Sequence, residues 1–164
     1  MEELEGDVKR RLRLQIAAKL EHYCAYQERC HSEVFDKLEK IAPDYDEKEW
    51  LISHLKEHSF LNELRFAKIF AFSKWKIKRW GRLKINHQLK LKKVPASYRE
   101  IGLKEIDEDD YLAGLEELAL KKLSLTPSND NPLVPLKKVH NFLTSKGYEN
   151  YLIQACVRKI TGNI

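Results

Sequence analysis

Residues 62–79 read NELRFAKIFAFSKWKIKR, and this stretch decides the fold class of the 164-residue chain. Its apolar side chains follow the 3.6-residue spacing of an α-helix. We predict a core face that consists of Phe66, Ile69, Phe70, Ser73 and Ile77. Asn62 is a favoured N-cap residue, and Gly81 tolerates the positive φ with which helices often end. The stretch therefore predicts one amphipathic helix of about five turns.

The same period continues from Leu12 to Ile160 and predicts an all-α fold of about nine helices. Three polar residues are placed as N-caps of further helices, namely Ser32, Asp46 and Ser97. Pro43 is expected to end the second helix, and residues 125–135 (LTPSNDNPLVP) predict a loop. A turn at residues 146–148 predicts a helical hairpin near the C-terminus.

A weak internal repeat underlies these helices. Similar pairs recur at Lys37-Leu38, Gln88-Leu89 and Phe142-Leu143, each followed by a second apolar helix. The spacing indicates tandem three-helix units, each too small to close a core alone. We predict an N-terminal helix (1–30), a first repeat (31–60), a second repeat with a basic surface (61–106) and a third repeat (107–164).

Charge is strongly segregated along the chain. Residues 64–99 hold twelve Lys and Arg and no acid; because the overall net charge is +5, the rest of the chain sums to −7. Residues 100–117 then hold eight acids and one base. Such segregation favours an anionic partner, although a solvated lysine-rich face without a partner remains an alternative.

The basic window places one row of cations and an aromatic ring on a single helix face, which we call the stripe. It comprises Arg65, Lys68, Phe72, Lys76 and Arg79, with Arg82 and Lys84 just beyond Gly81. Cations around an aromatic ring suit a phosphate backbone with a stacking anchor. Alternatively, Phe72 packs against a neighbouring helix while the cations extend around it. Trp75 and Trp80 are predicted to be core or edge residues.

Other site chemistry is not indicated. The sequence has no phosphate loop, dinucleotide turn or nucleophile elbow, so we expect no enzyme, catalytic residue or cofactor. His54 and His58 are four residues apart but lack the glutamate of a zinc site, and we expect no metal. Three cysteines without metal-type spacing are read as reduced thiols. With no apolar span or signal peptide in view, we expect a cytoplasmic monomer without membrane contact.

Several segments, in this order and spacing, resemble the RecX family, regulators of the bacterial RecA recombinase. They are residues 29–38 (RCHSEVFDKL), 60–67 (FLNELRFA), 78–85 (KRWGRLKI) with Gln88-Leu89, and 139–157 around Phe142-Leu143 and Lys146-Gly147-Tyr148. Two departures are Asn62, where the family usually has an acid, and Lys92-Lys93-Val94, where it often has Lys-Gly-Ile.

The resemblance implies tandem three-helix repeats in an elongated, curved molecule. It also implies binding in the groove of the RecA–single-stranded DNA filament, which lowers recombination, ATP hydrolysis and coprotease activity. No cofactor is implied. The alternative that the residues leave open is a stand-alone helical DNA- or RNA-binding module, in which the stripe carries the affinity.

Overall fold

The computed structural model describes residues 2–41, 45–127, 131 and 133–162. These residues form nine α-helices and no strand: α1 Glu2–Tyr26, α2 His31–Ile41, α3 Tyr45–Glu57, α4 Glu63–Lys78, α5 Arg82–Leu91, α6 Ala96–Lys104, α7 Glu108–Ser124, α8 Leu133–Lys146 and α9 Asn150–Thr161. The all-α prediction is confirmed. Pro43 and part of the predicted loop (128–130 and 132) lie outside the described residues. Each described helix is too short or too polar to cross a bilayer.

The helices pack in three successive groups of three. α1 and α2 pack against α3 in the first unit; α4, α5 and α6 pack against one another in the second; α7, α8 and α9 do so in the third. Leu38, Leu89 and Leu143 occupy the middle helix of each unit, and all three are fully buried. The tandem three-helix repeat is therefore confirmed. The predicted domain boundaries stay a prediction, although α1 packs within the first unit.

The units differ in how they share hydrophobic cores. The first unit has a core of its own, in which Leu20, Leu38 and Leu55 are fully buried. The second and third units contribute to one common core, to which Trp75 and Tyr148 both belong. Burying apolar area is the dominant favourable term in folding, so the second and third units depend on each other for stability.

The core face of α4 differs from the predicted one. Ile69 is 45% exposed and Ile77 is 73% exposed, so the prediction that both face the core is wrong. Phe66 is buried as predicted, whereas Phe70 is only partly buried. The other buried positions on α4 are Glu63, Ala67, Ala71 and Trp75. Small Ala67 and Ala71 allow close packing on α6, where Gly102 lies against the Ala67 carbonyl.

The ends of α4 confirm one predicted cap and correct another. The Asn62 side chain accepts from the backbone N–H of Arg65 at 2.9 Å, as expected for an N-cap. Arg79, not Gly81, has the left-handed conformation that ends the helix, with φ of 54°. Three other predicted caps are wrong, because Ser32, Asp46 and Ser97 are each the second residue of a helix, in α2, α3 and α6.

The second and third units meet at a backbone joint, here called the second joint. The N–H of Gly81 donates to the Lys146 carbonyl at 2.8 Å, and the N–H of Leu83 donates to the Gly147 carbonyl at 3.0 Å. A Cβ on Gly81 would overlap the Gly147 carbonyl group. Gly81 is therefore required by close approach between backbones rather than by its φ, which is −75°.

Tyr111 completes the second joint from α7. Its hydroxyl accepts from the N–H of Arg82 at 2.9 Å and donates to the Glu149 carboxylate at 2.7 Å. Burial raises the pKa of the Tyr111 phenol, so the hydroxyl stays protonated and can donate. One side chain thus connects α5, α7 and the start of α9.

The first and second units meet at a polar joint, here called the first joint. The buried Glu63 carboxylate accepts from the N–H of His31 at 2.7 Å. Ser32 donates to the Lys92 carbonyl at 2.8 Å, and Lys92 forms a 2.7 Å ion pair with Glu33. Together with Cys30, which is buried in the core of the second and third units, these hydrogen bonds and the ion pair hold the start of α2 against the second unit.

Candidate nucleic-acid interface

The stripe lies on the second unit, along α4 and into α5. The cap at Asn62 begins α4, and the left-handed Arg79 turns the chain towards α5. Phe72 lies near the middle of α4 with its side chain 46% exposed, and Lys76 is exposed in the last turn of the helix. The structure therefore brings all the predicted site residues onto one unit.

Most cations of the stripe are paired with carboxylates. The N···O distances are 2.7 Å for Arg65–Glu28, 2.7 Å for Lys68–Glu105, 3.1 Å for Arg79–Glu117 and 2.7 Å for Arg82–Glu108. Surface pairs of this kind contribute only ~0–1 kcal/mol to stability. Their larger consequence is electrostatic, because each acid offsets a cation that the sequence presented as unpaired. The stripe is a mixed-charge surface and not a purely basic one.

Phe72 stands at the centre of this mixed-charge surface. Its ring makes an edge contact with Trp75 at 5.8 Å between centroids, and the Lys76 ammonium lies 5.3 Å from the centroid of the Trp75 ring. A shallow hollow of about 220 Å³ beside Phe72 is also lined by Ile69 and Ser73, with Lys68 and Glu105 at its edge. An exposed ring beside a hollow is a suitable anchor for a partner.

A second set of cations rests on aromatic rings instead of carboxylates. The Lys74 and Lys84 ammonium groups lie 5.4 and 5.0 Å from the centroid of the Trp80 ring. On the third unit, Lys122 and Lys146 lie 5.4 and 5.6 Å from the centroid of Phe142. Of these residues, only Lys84 was a candidate site residue predicted from the sequence. A signal was present, since Trp80–Lys84 and Phe142–Lys146 share the same four-residue spacing.

The remaining candidates have structural roles. The Nε2–H of His54 donates a 2.6 Å hydrogen bond to the Glu21 carboxylate, and the His54 ring stacks on Trp50. Within the described ranges no group of three or more His, Cys, Asp or Glu is placed to hold a metal ion. Burial raises the pKa of the Cys24 thiol to about 11, so this cysteine is protonated at neutral pH. Asp107 caps α7 by accepting from Asp110.

The fold and this surface define a protein of tandem three-helix units with a cationic middle unit. That unit matches the family model for the second three-helix domain of RecX, over residues 62–103. Similar relatives are the regulatory proteins RecX of Clostridium botulinum (strain Eklund 17B), 34% identical over 128 residues, and of Clostridium perfringens (strain 13), 30% identical over 132 residues. The chain belongs to the RecX family.

The extent of these matches differs between sequence and structure. The two alignments cover 77% and 80% of this chain but only 59% and 61% of the relatives, so the chain spans about three fifths of their length. The crystal structure of RecX from Lactobacillus salivarius shares the fold, with a TM-score of 0.82 at 20% identity. That likeness covers 92% of this chain and 97% of the other.

Proposed function

We propose that this protein binds the filament formed by a RecA-type recombinase on single-stranded DNA and inhibits its recombination, ATPase and coprotease activities. The observation that carries the proposal is the match of the second unit to a domain of regulatory RecX proteins. The same unit carries the stripe and all twelve cations of the acid-free window.

The stripe supports contact with the protein part of such a filament. Specific protein interfaces combine an apolar or aromatic centre with a polar, charged rim. Phe72 and Ile69 supply exposed apolar surface at 46% and 45%, and the pairs Lys68–Glu105 and Arg79–Glu117 border it with both signs of charge. Paired cations make poor phosphate ligands but suitable rim residues. In this proposal Arg65 and Arg82 belong to the rim as well.

A stand-alone nucleic-acid-binding module is the second candidate. The observation in its favour is the set of lysines that rest on aromatic rings instead of carboxylates. Binding to phosphates alone is steeply salt-dependent, whereas a protein contact with an apolar centre survives salt better. The two candidates therefore separate in binding measured at moderate salt, first on bare single-stranded DNA and then on a recombinase filament.

The test compares two folded double variants in filament binding. Phe72→Ala/Lys76→Glu removes the centre of the stripe without breaking an ion pair. The matched control, Leu120→Ala/Lys104→Glu, removes a 48% exposed apolar side chain and an exposed lysine elsewhere. We expect the stripe variant to bind the filament at least tenfold more weakly and the control to match wild type. If the folded stripe variant binds and slows the recombinase like wild type, the stripe is not the contact.

A further inference from the structure

We propose that a row of lysines held over aromatic rings binds the sugar–phosphate backbone of one nucleic-acid strand. The row runs across the second joint and consists of Lys74, Trp80, Lys84, Lys146, Phe142 and Lys122. The inference rests on the proposed function, because it assigns the DNA strand of the filament to this row and leaves the protein contact to the stripe.

Contacts connect the row without a break from the second unit to the third. The Lys74 and Lys84 ammonium groups both contact the Trp80 ring. The distance between the two groups is therefore at most the sum of their distances from the ring centroid. Lys84 donates to the Ser145 carbonyl at 3.1 Å, and Lys146 donates back to the Lys78 carbonyl at 3.3 Å. Lys146 and Lys122 then share Phe142. The second joint fixes both halves of the row relative to each other.

The charge of the row is not offset by acids. In the described part of the chain, none of its four lysines lies within ion-pair distance of a carboxylate, in contrast to four cations of the stripe. An aromatic ring attracts a cation through its quadrupole but carries no net charge, so it orients the ammonium group and leaves its charge intact. α5 contains no acid, and Glu149 is the one acid between residues 133 and 162.

Helix ends near the row offset only part of this charge. Lys84 and Lys146 donate to carbonyls in the last turns of α8 and α4, and Lys122 lies in the last turn of α7. Each helix C-terminus carries about half a negative charge. Three such ends therefore offset less than half of the four positive charges of the row. Two further cations, Lys78 and Lys121, are exposed at the ends of α4 and α7.

The alternation of ammonium and ring favours a nucleic-acid strand over an acidic polypeptide. A lysine is a point charge that suits a phosphate, and the partly exposed rings of Trp80 and Phe142 lie beside the ammonium groups. Phosphate next to a flat base is the repeating unit of a single strand, and aromatic side chains stack with bases of any identity. An acidic peptide offers the charge but not the repeated flat partner.

The test measures the salt dependence of binding to a fluorescent oligothymidylate by the full chain. The row variant is Lys74→Gln/Lys84→Gln/Lys146→Gln. The matched control, Lys90→Gln/Lys104→Gln/Lys138→Gln, removes three exposed lysines outside the row. Each phosphate contact on a single strand contributes about −0.7 to the slope of log K against log salt. We expect the slope of the row variant to be shallower by about 2. When the salt rises from 50 to 200 mM, the affinity of the row variant should therefore fall by a factor about 20 times smaller than the factor for wild type or the control.

Folding is separated from binding by two further variants. Lys74→Arg/Lys84→Arg/Lys146→Arg keeps the charge and should retain the wild-type slope. Lys122→Gln/Lys146→Gln leaves the lysines on Trp80 unchanged, and its salt slope should be shallower by about 1.4. This double variant tests the row if the triple variant does not fold. A wild-type slope in the folded row variants, or no binding of the oligonucleotide by the wild-type chain, overturns the inference.

A recombinase filament added to the same experiment separates this inference from the proposed function. If the row governs oligonucleotide binding but the wild-type chain does not slow the recombinase, the row stands and the proposed function falls. If the wild-type chain slows the recombinase while the row variants keep the wild-type oligonucleotide slope, the proposed function stands and the row falls. If the row variants lose filament binding but keep the wild-type oligonucleotide slope, the row contacts acidic protein instead of nucleic acid, and the inference is overturned.

Discussion

The two joints between units differ in their main kind of interaction. At the first joint, a buried carboxylate, a serine hydroxyl and one lysine hold α2 against the second unit through hydrogen bonds and an ion pair. At the second joint, two backbones touch at Gly81 and Gly147 over a common hydrophobic core. Polar contacts contribute about 1 kcal/mol each, whereas a common core contributes through its whole buried area.

The difference indicates which parts of the molecule act as one body. The second and third units share a core, and the row crosses the joint between them, so its lysines keep one arrangement. The first unit has its own core, and it is attached through the buried Cys30 and through polar groups that salt and pH can weaken. We expect the surfaces for the partner to depend on the second joint far more than on the first.

The largest expected effect comes from Gly81→Ala, which breaks the second joint. The new Cβ would overlap the Gly147 carbonyl, and neither backbone can move without separating the units. Overpacking of this kind costs about 3 kcal/mol or more, which corresponds to a loss of about 10 °C in Tm. Gly6→Ala is the control, since a Cβ there meets open space and should change stability by no more than about 1 kcal/mol. An equal Tm for both variants would show that the joint is not tight.

The next effect concerns the hydroxyl that connects the helices of the second joint. Tyr111→Phe removes one acceptor for the Arg82 N–H and one donor to Glu149 while keeping the buried ring. Loss of both bonds should cost about 2–3 kcal/mol in the free energy of unfolding, measured by urea denaturation. A midpoint shift close to zero would mean that water replaces the hydroxyl at no cost.

The first joint should respond more weakly. Glu63→Ala leaves the His31 N–H without its acceptor and should cost about 1–2 kcal/mol, whereas the amide oxygen of Glu63→Gln can still accept. Oligonucleotide binding through the row should stay at the wild-type level in both variants. A drop in binding as large as that of Gly81→Ala would contradict the division into a weak joint and a strong one.

The smallest effect is a pH dependence at the first joint. Burial raises the pKa of the Glu63 carboxyl above its ordinary value of 4.5, so the folded state binds this proton more tightly than the unfolded state. The resulting penalty is fully present above the folded pKa and disappears as the pH falls below the unfolded one. Relative to Glu63→Gln, wild type should therefore gain stability between pH 7 and pH 4.5. If the urea midpoints of wild type and Glu63→Gln changed equally between pH 7 and pH 4.5, the result would contradict this expectation.

Local signals in the sequence were sufficient to predict the helices, the repeat and the Asn62 cap. Period and capping are local properties, and they act on α4 as expected. The rotation of α4 could not be predicted, because Ile69 and Ile77 are apolar but exposed, whereas Ala67 and Ala71 are small but buried. Which side of a helix packs is decided by neighbours that are distant in sequence.

The electrostatics of the candidate site were predicted less well than the fold. An acid-free window suggested unpaired cations, yet Glu28, Glu108 and Glu117 reach the stripe from other units. Gly81 was correctly singled out, but for its φ instead of its contact with Gly147. Contacts between residues 60 or more positions apart, such as Lys84 with Ser145, leave little trace in a local pattern.

Regulation of the recombinase filament is tested most directly by ATP hydrolysis. RecA is assembled on single-stranded DNA, and the wild-type chain is titrated in at sub-stoichiometric amounts while the hydrolysis rate is followed. We expect hydrolysis to slow with the wild-type chain and to slow much less with Phe72→Ala/Lys76→Glu at the same concentrations. A hydrolysis rate that stays unchanged up to a stoichiometric excess of the wild-type chain would contradict the proposed function.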